Sequence, residues 1–105
     1  MTVATKDPKA LRVNEALREA LFEEMEHDDT VMVFGEDVGV YGGMYRVTDG
    51  LLDRFGPDRV RDTPISEAGI VGMAVGLAQA GMRPIVEIMY MDFIGVAMDP
   101  IVNQM

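Results

Sequence analysis

The stretch from Thr63 to Gly76, TPISEAGIVGMAVG, decides both the fold and the candidate site of this chain. It begins with polar and turn-forming residues and continues as a helix of small side chains. Ser66 is a favourable N-cap residue, and Glu67 follows in the first turn, where the helix dipole stabilises negative charge. Glycines follow at positions 69, 72 and 76. Because each costs a helix about 1 kcal/mol relative to alanine, we expect a backbone or ligand to approach this helix closely.

The segments around this helix alternate between helical and strand patterns. Apolar residues at helical spacing predict helices, short apolar runs predict buried strands of a parallel sheet, and Gly81 is a natural helix stop. The predicted helices span residues 13–27, 48–55 and 66–80, and the predicted strands span residues 30–34, 59–62 and 84–90. This alternation predicts an α/β fold, a partial doubly wound parallel sheet with helices on both faces.

The last residues of the chain predict a further helix with an interruption. A helix is expected from Met91 onward, but Pro100 lies within it. Proline removes one helical hydrogen bond and costs a helix about 3 kcal/mol, so we predict a kink or break near residue 99.

Three acidic residues follow or lie within the predicted strands. Glu36 and Asp37 come directly after the first strand, at the sheet edge where ligands gather in open α/β folds. A solvated acidic turn is an equally good interpretation of this pair. Glu87 lies inside a predicted buried strand, so we expect it to pair with Arg83 or another basic group, because an unpaired buried charge is very costly.

Composition excludes several classes of function. The 105 residues fit one domain, and the formal net charge of −9 argues against nucleic acid or an anionic membrane as a partner. The chain has no cysteine, which excludes disulfides and thiolate metal sites. It has neither an apolar run of membrane-spanning length nor the pattern of a signal peptide in its first twelve residues.

An ordered series of motifs then points to a known family. The series is GEDVG from Gly35, YGGMYRVTDGL from Tyr41, FGPDRVRDTPISEAGIVGMAVG from Phe55, and GMRPIVEIMYMDF from Gly81. It resembles the β subunit of the thiamine diphosphate-dependent, decarboxylating component of 2-oxo-acid dehydrogenase complexes, of the pyruvate dehydrogenase type. The family's subunit is considerably longer than this chain. The resemblance therefore implies an N-terminal tail at 1–12 and, at 13–105, the N-terminal part of a truncated transketolase-like pyrimidine-binding domain.

The resemblance also implies which residues form the site. Glu67 matches the glutamate that hydrogen-bonds the 1′ nitrogen of the cofactor's aminopyrimidine ring and relays a proton there. Phe93 matches the aromatic position that stacks on this ring, Met89 a position lining the same pocket, and Ile65 a weaker pocket contact. For Phe93 and Met89 an ordinary role in the core is the alternative. No GDG…N motif occurs in the chain, so no metal ligand is assigned, and magnesium is expected to bind mainly through the α subunit.

The implied function is oxidative decarboxylation of a 2-oxo acid, most simply pyruvate, with acyl transfer to a lipoyl group. The implied partners are the α subunit, a second β subunit in a heterotetramer, and the lipoyl acyltransferase component. Tyr41 and Tyr45 are expected on a subunit surface, and the location is expected to be the bacterial cytoplasm. The 105 residues alone are expected to be inactive.

Two other functions compete with this one. The first is the pyrimidine domain of a transketolase or deoxyxylulose phosphate synthase, against which the GEDVG and YGG segments speak. The second is a non-catalytic fragment that serves only as an assembly module, because half of a parallel sheet exposes a strand edge and apolar faces.

Overall fold

The computed structural model describes residues 11–104 and shows one parallel sheet with helices on both faces. The predicted N-terminal tail lies, except for residues 11 and 12, outside the described residues, as does Met105. The elements are α1 (Val13–His27), β1 (Val31–Gly35), α2 (Leu51–Phe55), β2 (Val60–Asp62), α3 (Glu67–Gln79), β3 (Arg83–Glu87), a 3-10 helix (Met91–Ala97) and a π-helix (Pro100–Gln104).

The strands lie in the order β2-β1-β3, and both pairings are parallel. Gly35 at the end of β1 is the register partner of Asp62 on one side and of Glu87 on the other. The three strands therefore end at the same edge of the sheet. This arrangement confirms the predicted α/β class and the partial doubly wound sheet.

The central strand β1 builds a core on each of its faces. Successive side chains of a strand point to opposite sides, so Val31 and Val33 enter one cluster while Met32 and Phe34 enter the other. The first cluster joins α1 and α2 to the sheet through Met25, Val38, Leu51 and Val60, and the second joins α3 through Ile70 and Ala74. All five residues of β1 are buried, as predicted for this strand.

Strand β3 differs from its prediction. It ends at Glu87, three residues earlier than predicted, and its residues are half-buried or exposed rather than buried. The physical reason is position, because within residues 11–104 β3 has a neighbouring strand on one side only. An apolar run identifies a strand but does not reveal whether that strand lies at the edge of the sheet.

The helix boundaries follow the sequence closely, with two informative departures. The short helix α2 begins at Leu51, after Gly50 adopts a left-handed φ of 84°, and not at residue 48. After β3, a 3-10 helix continues through two α-helical residues, 98 and 99, into a π-helix that begins at Pro100. The break predicted near residue 99 is therefore not seen, and only the type of helix changes there, because Pro100 has no N–H to donate to the preceding turn.

Candidate functional site

The candidate site lies at the carboxyl edge of the sheet, where the ends of the three strands meet. Glu36 directly follows β1, the segment Thr63–Ser66 joins β2 to α3, and Met89 comes two residues after β3. The amino terminus of α3 points to this edge, since the helix begins there at Glu67. In open α/β sheets this edge is the usual place for a ligand.

Glu67 is the first residue of α3 and is only 7% exposed. Ser66 occupies the N-cap position as predicted, but its side chain makes no capping hydrogen bond, so that part of the prediction is wrong. The Ser66 hydroxyl lies instead over Gly69, 2.9 Å from the position that a Cβ there would occupy. Its backbone N–H is directed at the carboxylate of Glu36.

Glu36 is the second buried carboxyl of the site, with 6% of its surface exposed. Burial raises the pKa of Glu36, and the hydrogen bond to Glu67 and the charges of Glu67 and Asp37 raise it further. The backbone N–H of Ser66 acts in the opposite direction, because it stabilises the ionised form. The Oε2 atom of Glu36 is buried without a hydrogen-bond partner in the described part of the chain.

The two carboxyls are therefore close neighbours at this edge of the sheet. Burial and the proximity of Glu67 both favour the neutral form of Glu36 and raise its pKa. The arrangement can keep a proton next to Glu67 at a pH where an isolated glutamate is ionised.

The sequence left the role of the acidic pair Glu36–Asp37 undecided, and the structure separates the two residues. Asp37 is exposed and adopts a left-handed φ of 59°, as in a solvated turn. Glu36 is buried against Glu67, and sequence reasoning did not assign it to the site. The usable signal was its position immediately after a wholly apolar strand, at the same edge as Glu67.

The remaining predicted site residues follow the ends of β2 and β3 along the chain; two are exposed and one is half-buried. No hydrogen bond or ring contact joins any of them to Glu67 in the described part of the chain. Phe93 lies in the 3-10 helix, is 41% exposed, and packs edge to face on Tyr90 with ring centroids 5.9 Å apart. Met89 is half-buried, and Ile65 is 83% exposed in the segment before α3. The exposure of Phe93 speaks against the alternative that it is an ordinary core residue.

Two of the three helix glycines have no close neighbour within the described residues. A Cβ at Gly72 or Gly76 would meet nothing within 4 Å, whereas a Cβ at Gly69 would meet the Ser66 side chain. Since Ser66 is the N-cap of the same helix, the close approach of another backbone that we expected is not found at any of the three glycines within the described residues.

Glu87 does not pair with Arg83, contrary to expectation. Arg83 lies 3.5 Å from the carboxylate of Asp28, near the start of β1, at the opposite end of the sheet. Glu87 ends β3 and is half-buried, and burial raises its pKa. Residues four positions apart in a strand are separated by about 13 Å, so the two side chains lie at opposite ends of β3.

The described residues contain neither a metal-binding cluster nor a membrane-spanning helix. Within residues 11–104, no three acidic, histidine or cysteine side chains are grouped so that they could hold a metal ion. No helix in this part of the chain has the length and apolar character needed to cross a membrane.

Comparison with known proteins fits this geometry. Residues 9–105 match the family described as "Transketolase, pyrimidine binding domain". The chain belongs to this family. The match covers nearly the whole chain, including every element that contributes to the edge containing Glu36 and Glu67.

Curated relatives are similar over most of the chain. The chain is 59% identical over 93 residues to the "Pyruvate dehydrogenase E1 component subunit beta" of Rickettsia bellii (strain RML369-C), covering 89% of this chain and 29% of that protein. Identity is 61% over 89 residues to "Pyruvate dehydrogenase E1 component subunit beta-3, chloroplastic" of Oryza sativa subsp. japonica, covering 85% of this chain and 23% of that protein. The mitochondrial beta-1 protein of the same plant is 53% identical over 95 residues, covering 90% of this chain and 25% of its own length. The chain thus spans less than a third of these relatives.

Proposed function

We propose that this pyrimidine-binding domain supplies the proton-relay carboxyl, Glu67, to a thiamine diphosphate-dependent 2-oxo-acid dehydrogenase. The observation that carries the proposal is the buried Glu67 carboxyl at the start of α3, next to the buried Glu36, whose pKa is raised by burial and by Glu67. The names of the relatives support pyruvate as the substrate and the β subunit as the place of this chain in the enzyme.

The residues present fit an aminopyrimidine ring. Glu67 offers a poorly hydrated carboxyl to a ring nitrogen, and the unpartnered Oε2 of Glu36 shows that the polar groups of this edge are not fully satisfied within the described chain. Phe93 and Ile65 offer exposed apolar surface at the same edge, and Met89 a half-buried side chain. When bound, the thiamine group supplies the electron sink that lets a 2-oxo acid lose carbon dioxide.

In this proposal each carboxyl has its own task. Glu67 exchanges a proton with the ring nitrogen, which is general acid–base catalysis at a single atom. Glu36 keeps its own proton, because burial and Glu67 raise its pKa, and donates a hydrogen bond that orients the Glu67 carboxylate. Phe93 adds stacking, where an offset aromatic pair contributes about 1 kcal/mol beyond burial.

The open surfaces of the chain support assembly with other subunits. Strand β3 is an unpaired edge, and an apolar groove of about 360 Å³ lies between α1 and β3, with Leu17, Leu21 and Ile85 in its walls. We therefore infer that the domain works inside an α₂β₂ heterotetramer and delivers acyl groups to a lipoyl acyltransferase component. Magnesium binds mainly through the α subunit in this proposal. The Rickettsia relative supports a bacterial cytoplasmic location, although other relatives are named mitochondrial or chloroplastic.

The decisive test is Glu67→Gln in the assembled enzyme. This substitution keeps the size of the side chain, but the amide cannot exchange a proton at the ring nitrogen. We expect decarboxylation to fall by about 10²–10⁴-fold, the usual contribution of a general acid or base, with little change in unfolding free energy. Glu19→Gln is the matched control, since Glu19 is exposed on α1 and does not line the groove, and it should retain full activity. Turnover close to the unsubstituted level in the Glu67 variant would refute the proposal.

A further inference from the structure

The loop that follows β1 is fastened to the end of β2 by a single carboxylate. Asp62 Oδ1 accepts a hydrogen bond from the Gly39 N–H at 2.7 Å, and Oδ2 accepts one from the Val40 N–H at 3.2 Å. Hydrogen bonds from backbone N–H groups to an ionised acceptor are about twice as strong as neutral ones. Asp62 thus joins two segments that are more than twenty residues apart in the sequence.

These two hydrogen bonds to the Asp62 carboxylate, here called the Asp62 clamp, leave no room for a side chain at residue 39. A Cβ on Gly39 would lie 2.8 Å from Oδ2 of Asp62, closer than real Cβ contacts. Gly35, the last residue of β1, is the register partner of Asp62, and its carbonyl accepts the Thr63 N–H at 2.9 Å. The clamp therefore adds a side-chain connection to the backbone hydrogen bonds that pair β1 with β2.

The same loop is held at two further points. The buried Thr48 hydroxyl donates to the Val38 carbonyl at 2.7 Å, and the Gly43 N–H donates to the Asp37 carbonyl at 2.8 Å. Asp37 itself adopts a left-handed conformation that non-glycine residues seldom adopt. Such a conformation persists only where the surrounding contacts enforce it.

Glu36 lies within this enforced stretch. It follows Gly35, the last residue of the ladder, and precedes the clamped Gly39 by three positions. The backbone around Glu36 is thus held by the strand on one side and, three residues later, by Asp62 on the other. No other part of the loop is bonded to β2 by a side chain in the described residues.

We propose that Asp62 is a positioning residue, which holds Glu36 against Glu67 by fixing the backbone of Gly39 and Val40. The inference rests on the proposed function only in that Glu67 is taken as the reacting carboxyl. Without the clamp the turn relaxes, Glu36 gains water, and its hydrogen bond to Glu67 is lost. A purely structural clamp would alter stability and leave the Glu36–Glu67 pair unchanged.

The titration of Glu36 separates these two roles, and its measurement needs no cofactor. We would follow ¹³C signals of labelled glutamate carboxyls by NMR in the unsubstituted protein, in Asp62→Ala and in Gly39→Ala, with Glu36→Gln identifying the signal of Glu36. Glu67 and Asp37 are the charged groups that face Glu36 and would be followed in the same spectra. The Gly39→Ala variant keeps the Asp62 carboxylate, but the added Cβ pushes this carboxylate away from the backbone N–H groups of the loop.

We expect both variants to lower the pKa of Glu36 towards the ordinary glutamate value, because its burial and its bond to Glu67 are reduced together. Asp58→Ala is the matched control, since the Asp58 carboxylate is exposed and approaches only Arg61, at 3.8 Å. It should leave the signal of Glu36 unchanged. An unshifted Glu36 titration in folded Asp62→Ala and Gly39→Ala would overturn the inference.

Activity gives the second readout. In the assembled enzyme, Asp62→Ala should lower kcat by about tenfold or more, because small displacements of a catalytic group cost up to about 10²-fold. Asp62→Asn should recover part of this loss, since one oxygen can still accept a hydrogen bond. If Glu67→Gln proves fully active while the clamp variants shift Glu36, the proposed function fails and the positioning role of Asp62 stands.

Discussion

The charged groups at the two ends of the sheet differ in how well their hydrogen-bonding capacity is satisfied. At the amino end, the Arg59 guanidinium donates to the carbonyls of Met25, Asp28 and Val31 at 2.7–3.1 Å and lies over the Phe55 ring. At the carboxyl end, two carboxyls share a buried space, and one oxygen of Glu36 has no partner among the described residues.

The difference indicates that the amino end stabilises the fold, and it supports our proposal that the carboxyl end serves chemistry. A charge surrounded by hydrogen-bond acceptors costs little to bury, and it ties α1, β1 and β2 together. Crowded carboxyls with an unsatisfied oxygen cost stability, and proteins retain such arrangements mainly at functional sites. Four substitutions and one control test this contrast, beginning with the largest expected effect.

Removing the guanidinium should damage the amino end severely. We expect Arg59→Ala to lower the unfolding free energy by about 3 kcal/mol, because three carbonyls lose a charged donor together. Denaturant unfolding measures the effect. Arg61→Ala is the control, since Arg61 is exposed and only 3.8 Å from the exposed Asp58, and it should cost under about 0.5 kcal/mol. Equal losses for both variants would show that the amino end is not specially stabilised.

Replacing Glu36 by a neutral residue should raise the unfolding free energy rather than lower it. We expect Glu36→Gln to raise the unfolding free energy at neutral pH by about 1–2 kcal/mol, because a buried carboxyl loses its tendency to ionise while the amide oxygen still accepts from the Ser66 N–H. Guanidinium titrations at pH 7 provide the measurement. A less stable Glu36→Gln variant would mean that the carboxyl end is also built for stability.

The pH dependence of the unfolding free energy tests the same contrast between the two ends of the sheet. The pKa of Glu36 is raised on folding, so the native state holds more protons than the unfolded chain between the ordinary value of 4.5 and the raised value. In that window stability falls as pH rises, and below it the Glu36 contribution is at its most favourable. The Glu36→Gln variant should lose the Glu36 part of this decline, while Glu87, whose pKa is also raised, keeps its own.

Two threonines with buried hydroxyl groups provide the smallest and most closely matched test. Thr63 Oγ1 at the carboxyl end is buried without a partner in residues 11–104, whereas Thr48 Oγ1 donates to the Val38 carbonyl at 2.7 Å. We expect Thr63→Val to be neutral or to stabilise by up to about 1 kcal/mol, and Thr48→Val to destabilise by about 1–2 kcal/mol. Thermal unfolding measures the change in stability of the two variants. A loss at Thr63 as large as that at Thr48 would contradict the picture of an unsatisfied edge.

The sequence predicted the helices and strands well because their patterns are strong. The run VMVF gives a strand buried on both faces, and the spacing of apolar residues between 13 and 27 gives α1 with its observed boundaries. Glycine and proline set the ends, as Gly81 follows α3 and Pro100 begins the π-helix. Local chemistry decides such features, so they can be inferred before any tertiary contact is known.

The site was only partly predictable, because its chemistry depends on distance in space. Glu67 was identified from its place in a motif, but Glu36 lies 31 positions earlier and becomes its partner only when β1 and β2 pair in parallel. The expected pairing of Glu87 with Arg83 failed for the same reason. Nearness in the sequence suggested a partner, whereas the extended strand placed Arg83 beside Asp28.

The sequence by itself determined the α/β class, the family, and the carboxyl at the start of α3. Periodicity, glycine placement and an ordered set of motifs are local properties that the chain carries in any conformation. Only the tertiary structure decided that β3 is an edge strand, that Glu36 is buried against Glu67, and that Asp62 fastens the loop between them. Burial and pairing arise when strands that are distant in the sequence meet at one edge, and no local pattern encodes that meeting.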